Sequence, residues 1–245
     1  MSAFSGRTGD APPVVVGHRG GRGEGWPAEN TIEAFAQAQK EGAAAIELDV
    51  RTCATGEVVV LHDADLTRMT NGTDARKVAQ VPLRELVRLT LKDGARIPTL
   101  AEVLEWASTR LAVNVELKRD VADMLTLARV AARTIREGRA DVLISSFDPL
   151  LLQAVRALAP RVPRAFLTLP RARPVVPPLG IHAVHLEREQ ATGAWVLAQK
   201  ERGLKVGVWT VNDPVEAKDL AFLGVDWLIT DAPGSIVRGL RMPDV

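Results

Sequence analysis

The run Ala45-Ile46-Glu47-Leu48-Asp49-Val50-Arg51, followed after a short Gly-containing link by Val58-Val59-Val60-Leu61-His62-Asp63, decides how this chain folds. Side chains two apart on a β-strand point the same way, so Glu47 and Asp49 share one face while Ile46, Leu48 and Val50 share the other. Two adjacent carboxylates repel strongly at low dielectric unless a proton, a cation or basic side chains compensate. Such a strand is either a solvated edge or the wall of a charged site. Between Val50 and Val58 there are too few residues for a parallel crossover, which needs about a dozen, whereas a hairpin fits. A turn at Ala54-Thr55-Gly56 is therefore expected to pair 45–51 with 57–62 antiparallel and to set Glu47 roughly opposite His62.

Working outward, Val14-Val15-Val16 reads as a buried first strand ending in Gly17-His18-Arg19-Gly20, and a helix is expected from Asn30 or Thr31 to Lys40. Further strands are expected at 111–117, 142–146, 164–169, 183–186, 205–211 and 227–230. Helices are expected near 83–89 and at 100–108, 121–137, 149–158, 190–202 and 214–222. Regular alternation of this kind argues for parallel strands wrapped by helices. The fold class is thus α/β, a TIM-type (β/α)₈ barrel with a β-hairpin irregularity after the second strand. At 245 residues and 47% apolar content the chain is the right size for one such barrel. Residues 1–12 are expected to be a flexible leader and 13–245 a single catalytic domain.

Thirty-one basic and 30 acidic side chains nearly cancel, so no global field favours nucleic acid or an anionic membrane, and phosphate selectivity must be local. No run approaches the roughly 18 apolar residues of a membrane span, so no stable membrane insertion is expected. Residues 1–13 lack a signal-peptide core, which makes the cytoplasm the default location. Cys53 is the only cysteine, excluding an intramolecular disulfide.

In a parallel barrel, functional groups gather at the carboxyl ends of the strands. Here those ends carry His18 and Arg19, Glu47 and Asp49, His62 and Asp63, Glu116 and Lys118, then Ser146, Glu187, Trp209, Asn212 and Asp231. Three acidic side chains without Cys or His partners suit a hard divalent cation, so Glu47, Asp49 and Glu116 read as a site for one Mg²⁺ or Ca²⁺ ion, with Arg19 and Lys118 meeting the remaining charge of a phosphate. The competing reading is a salt-bridge network in the barrel mouth. His18 and His62 each end an apolar strand, where one imidazole accepts a proton and the other donates one. His182 reads as a loop residue, and His185 is placed on the far side of the mouth.

His18-Arg19-Gly20, Glu29-Asn30-Thr31, Glu47-Leu48-Asp49-Val50, His62-Asp63, Glu116-Leu117-Lys118, Ser145-Ser146-Phe147 and Val208-Trp209-Thr210-Val211-Asn212 resemble, in order, the motifs of glycerophosphodiester phosphodiesterases. The resemblance spans residues 14–237. It implies a TIM-type barrel that hydrolyses a small-molecule glycerophosphodiester to sn-glycerol 3-phosphate and an alcohol. It further implies His18 and His62 as acid and base, Glu47, Asp49 and Glu116 as metal ligands, Arg19 and Lys118 on the phosphate, Asn30 near the metal in the substrate site, and Trp209 as a pocket wall. Two features depart from the usual pattern: a longer, charged loop between Gly20 and Glu29, and Ala54-Thr55-Gly56 in place of an Asp-Gly turn. A lysophospholipase D-like activity and a non-catalytic phosphate-binding barrel are the alternatives. The head-group alcohol, the choice of ion and the oligomeric state are left open by the sequence.

Overall fold

The computed structural model describes residues 2–5, 11–91, 94–121, 123–169, 176 and 180–241. In chain order the elements begin with β1 (Val14–Gly17), α1 (Ile32–Lys40), β2 (Ala45–Thr52), β3 (Val58–Val60), α2 (Leu83–Leu86), α3 (Leu100–Ala107) and β4 (Ala112–Leu117). They continue with α4 (Met124–Glu137), β5 (Val142–Ser146), α5 (Pro149–Leu158), β6 (Arg164–Leu167), β7 (Ala183–Glu187) and α6 (Gly193–Glu201). β8 (Lys205–Trp209), α7 (Pro214–Phe222), β9 (Trp227–Thr230) and α8 (Pro233–Arg241) complete the chain. The strands are ordered β1-β9-β8-β7-β6-β5-β4-β2-β3, and β1 also pairs with β2, which closes eight parallel strands into a TIM-type barrel. β3 stands outside that count as the antiparallel partner of β2, the expected hairpin.

Its register is one residue away from the expectation. Thr52 pairs with Val58 and Val50 with Val60, so continuing the ladder would set His62 opposite Leu48, not Glu47. A one-residue slip would turn the side chain to the wrong face, but the strand ends at Val60 and His62 lies beyond it, free of the pleat. Gly56, at φ +89°, supplies the left-handed turn position that an Asp-Gly turn would otherwise provide.

Each strand of the barrel buries two faces. Ile46, Leu48, Val50, Val113 and Val115 pack outward beneath α1, α3, α4 and α5, whereas Ala45, Ala112, Leu143, Ala165 and Ala183 fill the barrel with Val16, Trp227 and Ile229. The helices start where the sequence caps them. Thr31 accepts from Ala34 N, Thr99 forms a capping box with Glu102, and Asp148 and Asp213 cap α5 and α7 ahead of a proline in the first turn. The helix expected at 83–89 is a single turn, that at 190–202 starts at Gly193 behind the Thr192 cap, and β8 stops at Trp209. α8, absent from the sequence expectation, seals the seam beside β1 with Ile236 and Val237 buried. Within the leader expected over residues 1–12, Ala3–Ser5 forms a 3₁₀ turn instead. Phe4 closes the barrel's amino end against Trp227, at 5.7 Å edge to face, and Trp227 Nε1 donates to Ala3 O. Most of the Pro-rich loop at 170–178 lies outside the described residues.

Candidate active site

Parallel register alone assembles the acidic cluster. Glu47 and Asp49 point inward from β2, and Asp49 is paired with Glu116 of β4, so three carboxylates meet at the carboxyl end of two neighbouring strands. One ligand oxygen from each lies within 4.8 Å of the others, and all three residues are buried. Burial, followed by the charges of Asp49 and Glu116, pushes Glu47 well above the ordinary carboxyl range. Glu116 is raised too, chiefly by burial. Burial acts the same way on Asp49, but Lys118 and Arg19 outweigh it and hold that carboxyl well below its usual range. Glu47 Oε1 is buried without a hydrogen-bond partner. An all-oxygen donor set that cannot ionise fully by itself, with one oxygen unsatisfied, fits a hard divalent cation.

The surrounding groups fix this cluster. Lys118 Nζ donates to Asp49 Oδ1 at 3.1 Å and to Glu116 Oε1 at 2.8 Å. Arg19, at φ +54°, donates its backbone N–H to Glu47 Oε2, aligns Nη1 with Glu29 Oε1 and brings Nε within 3.1 Å of Asp49 Oδ2. Both cations expected on a phosphate therefore also neutralise the carboxylates. Asn30 donates to Asp49 Oδ2 and accepts from Asp49 N; it is 2% exposed and does not line the pocket. Its amide positions Asp49, within the acidic cluster beside which the sequence reading set Asn30.

The two histidines are built alike. His18 Nδ1 lies 2.7 Å from Asp231 Oδ1, and His62 Nδ1 lies 2.7 Å from Asp63 Oδ1. A carboxylate on Nδ1 fixes the tautomer and ring orientation and leaves Nε2 for chemistry; His18 Nε2 is 3.9 Å from Glu47 Oε2. Burial holds His62 below the usual imidazole range, helped by Lys118 and Arg19 and opposed most strongly by Asp49. Burial pushes Asp231 up, but His18 and Arg22 outweigh it and keep the carboxyl well below its usual range. Asp231 is held from below by Asn212, which donates Nδ2 to its carboxylate and accepts its backbone N–H. Asp63 is tied through Arg68 to Glu29, and so to Arg19.

These orienting roles of Asp231, Asp63 and Asn212 escaped the sequence, although all three sit beside strand ends. Asp231 becomes His18's neighbour only because β9 closes on β1. His185 is not at the mouth: it is 1% exposed, edge-on to Trp227 at 5.7 Å, and burial pushes it down to about 3. His182 is a loop residue, as expected, and its Nδ1 accepts from Arg164 N.

A cavity of about 230 Å³ opens over the cluster, lined by His18, Arg19, Glu47, His62, Glu116 and Lys118 together with the apolar Phe147, Leu167, Trp209 and Ile229. Phe147 and Trp209 meet edge to face at 5.6 Å. A larger groove of about 760 Å³ beside α2 and α3 contains none of these groups.

Fold and site together define a TIM-barrel enzyme with a cation-ready acidic cluster flanked by two carboxylate-oriented histidines. The model of the glycerophosphoryl diester phosphodiesterase family matches residues 18–235. A glycerophosphodiester phosphodiesterase of Caldanaerobacter subterraneus subsp. tengcongensis is 31% identical over 241 residues, which cover 93% of this chain and 98% of that one. A phosphodiesterase of Oleispira antarctica, solved in complex with the product sn-glycerol-3-phosphate, is 25% identical with a TM-score of 0.85, over 99% of this chain and 100% of that one. A human lysophospholipase D is 27% identical over 265 residues, 89% of this chain and 83% of that one. The chain belongs to the glycerophosphoryl diester phosphodiesterase family and is a phosphoric diester hydrolase.

Proposed function

We propose that the protein hydrolyses glycerophosphodiesters to sn-glycerol 3-phosphate and an alcohol, using one divalent cation and a two-histidine proton relay. The observation that carries this reading is the juxtaposition of three buried carboxylates within 4.8 Å with two histidines, each held by a carboxylate on Nδ1. Glu47, Asp49 and Glu116 would hold Mg²⁺ or Ca²⁺. When bound, the ion would neutralise phosphate charge and lower the pKa of a coordinated hydroxyl. Arg19 and Lys118, relieved of part of their load on the carboxylates, turn their remaining donors to the phosphate oxygens. His62, whose pKa burial lowers, takes at Nε2 the proton of the attacking hydroxyl, either that of a water, which gives sn-glycerol 3-phosphate directly, or that of the vicinal glycerol hydroxyl, which gives a cyclic phosphate that water then opens. His18, aligned by Asp231, delivers a proton from Nε2 to the leaving alkoxide. Trp209 and Phe147, in edge-to-face contact, supply an apolar wall of the pocket.

Among the described residues no helix is long and apolar enough to cross a membrane. We place the activity in the cytoplasm, acting on soluble diesters. The test is product analysis with glycerophosphocholine for wild type, His18→Ala and His62→Ala. Release of sn-glycerol 3-phosphate and choline, abolished in both variants, is expected; phosphocholine as the product, or full activity in either variant, would contradict the assignment.

A second reading, hydrolysis of single-chain lysophospholipids, has one observation in its favour. Leu125, Leu150, Leu169 and Val215 are 73%, 69%, 45% and 68% exposed at the starts of α4 and α5, after β6 and at the start of α7. They follow the carboxyl ends of β4, β5, β6 and β8, the end of the barrel at which the pocket opens and where an acyl chain would lie. Leu150→Ser/Val215→Ser should lower the rate on lysophosphatidylcholine relative to glycerophosphocholine; an unchanged ratio would remove this reading.

A further inference from the structure

Asn114 is the residue the proposed chemistry leaves unused. It lies on the inward face of β4, two positions before Glu116 and four before Lys118, beside Glu47 in the strand register. Each two-residue step along a strand is roughly 6.6 Å, so Asn114 stands one step deeper in the barrel than Glu116. It is 1% exposed and lines the inner end of the pocket beside the apolar Leu167 and Ile229. Its side-chain carbonyl oxygen is buried and has no hydrogen-bond partner. Buried amide oxygens are almost always satisfied, and an acceptor left open in a pocket wall is matched by a donor on whatever fills the pocket.

We propose that Asn114 reads the glycerol end of the substrate, its Oδ1 accepting a hydrogen bond from the terminal hydroxyl, the one farthest from phosphorus. This deepens the phosphodiesterase reading and rests on it. With the phosphate between Arg19 and Lys118 near the rim, the three-carbon unit points down the pocket past the carboxylates, and its last hydroxyl reaches the level of Asn114. Asn114 is thus a specificity residue that makes the site a reader of glycerol, not of any small alkyl phosphodiester. A site that must leave a buried acceptor unpaired rejects an analogue lacking the hydroxyl far better than a merely apolar pocket would.

The experiment compares binding of sn-glycerol 3-phosphate and of 2-hydroxypropyl phosphate, which lacks only the terminal hydroxyl, by calorimetry with wild type and Asn114→Leu. Wild type should bind the glycerol compound about 10- to 100-fold more tightly, the usual consequence of stranding one buried acceptor. In Asn114→Leu the preference should collapse to within about threefold, because the paired partner is then absent from both complexes. A wild-type ratio near one, or a preference that survives in the variant, would show that Asn114 holds only water and overturn the assignment. If the Leu variant does not fold, Asn114→Ala is read in its place, and the wild-type ratio still decides the first half. The same two compounds as their choline diesters separate the readings. A wild type that binds with the expected preference but releases no sn-glycerol 3-phosphate would sink the catalytic reading and leave Asn114 standing.

Discussion

Glu47→Gln should make the metal-free protein more stable while destroying its activity. Glu47 is 3% exposed, and its Oε2 accepts the Arg19 N–H while Oε1 has no partner. Burial and the charges of Asp49 and Glu116 already favour its neutral form. An amide keeps the acceptor for Arg19 and turns an NH₂ group toward the neighbouring carboxylates, replacing repulsion by attraction. Removing the cost of protonating this buried carboxyl at neutral pH stabilises by about 1–3 kcal/mol. For a domain of this size that is a rise of roughly 3–8 °C in the melting temperature of chelated protein. A cation at 100 times its Kd adds about 2.7 kcal/mol to wild type, a further rise that the variant should lack. Activity should fall by about 10³-fold or more, since several kcal/mol of charge stabilisation in the transition state is removed. The assay is thermal melting in chelator and then in Mg²⁺ or Ca²⁺, paired with sn-glycerol 3-phosphate release. Chelated Glu47→Gln melting several degrees below wild type, or keeping the metal-induced rise, would refute the reasoning.

Three more outcomes are expected. His185 is neutral in the fold, pushed by burial from 6.5 to about 3, so the unfolded chain binds its proton first and stability falls as pH drops below 6.5. Between pH 7.5 and 5 wild type should lose about 2 kcal/mol more than His185→Leu in urea titrations, and equal losses would contradict a buried neutral imidazole. Asp231→Asn should lower kcat/KM about 10- to 100-fold by loosening His18 while leaving the metal-induced melting shift intact, whereas loss of that shift would make Asp231 part of the cation site. Phe4→Ala should cost about 3 kcal/mol by emptying the amino end of the barrel, with kcat/KM of the folded protein unchanged. A variant as stable as wild type would mean that Phe4 does not plug the barrel.

Much of this was legible in local pattern. Alternation of strands and helices, the spacing of Glu47 and Asp49, and the short link to Val58 led to the barrel and its hairpin, because those rules act over a few residues. What failed needed closure of the whole sheet. Asp231 and Asn212 gain their meaning only when β9 docks on β1, and His185 sits at a strand position that reads as mouth-facing until Trp227 and the alanines of the interior cover it. Asn30 illustrates a subtler limit. Its presence beside the acidic cluster was readable from the sequence, but its two hydrogen bonds to Asp49 emerge only when the loop before α1 folds over β2. The hairpin register slipped for a similar reason, since the ladder ends two residues before His62 and no pairing rule governs the residue after it.

The most direct measurement is sn-glycerol 3-phosphate release from glycerophosphocholine by metal-stripped protein as Mg²⁺ or Ca²⁺ is added back. Activity that is absent in chelator, returns with a saturable dependence on the ion, and does not return in Glu47→Gln is the expected result. Full activity in the presence of chelator would contradict a cation held by Glu47, Asp49 and Glu116 and, with it, the mechanism built on that cluster.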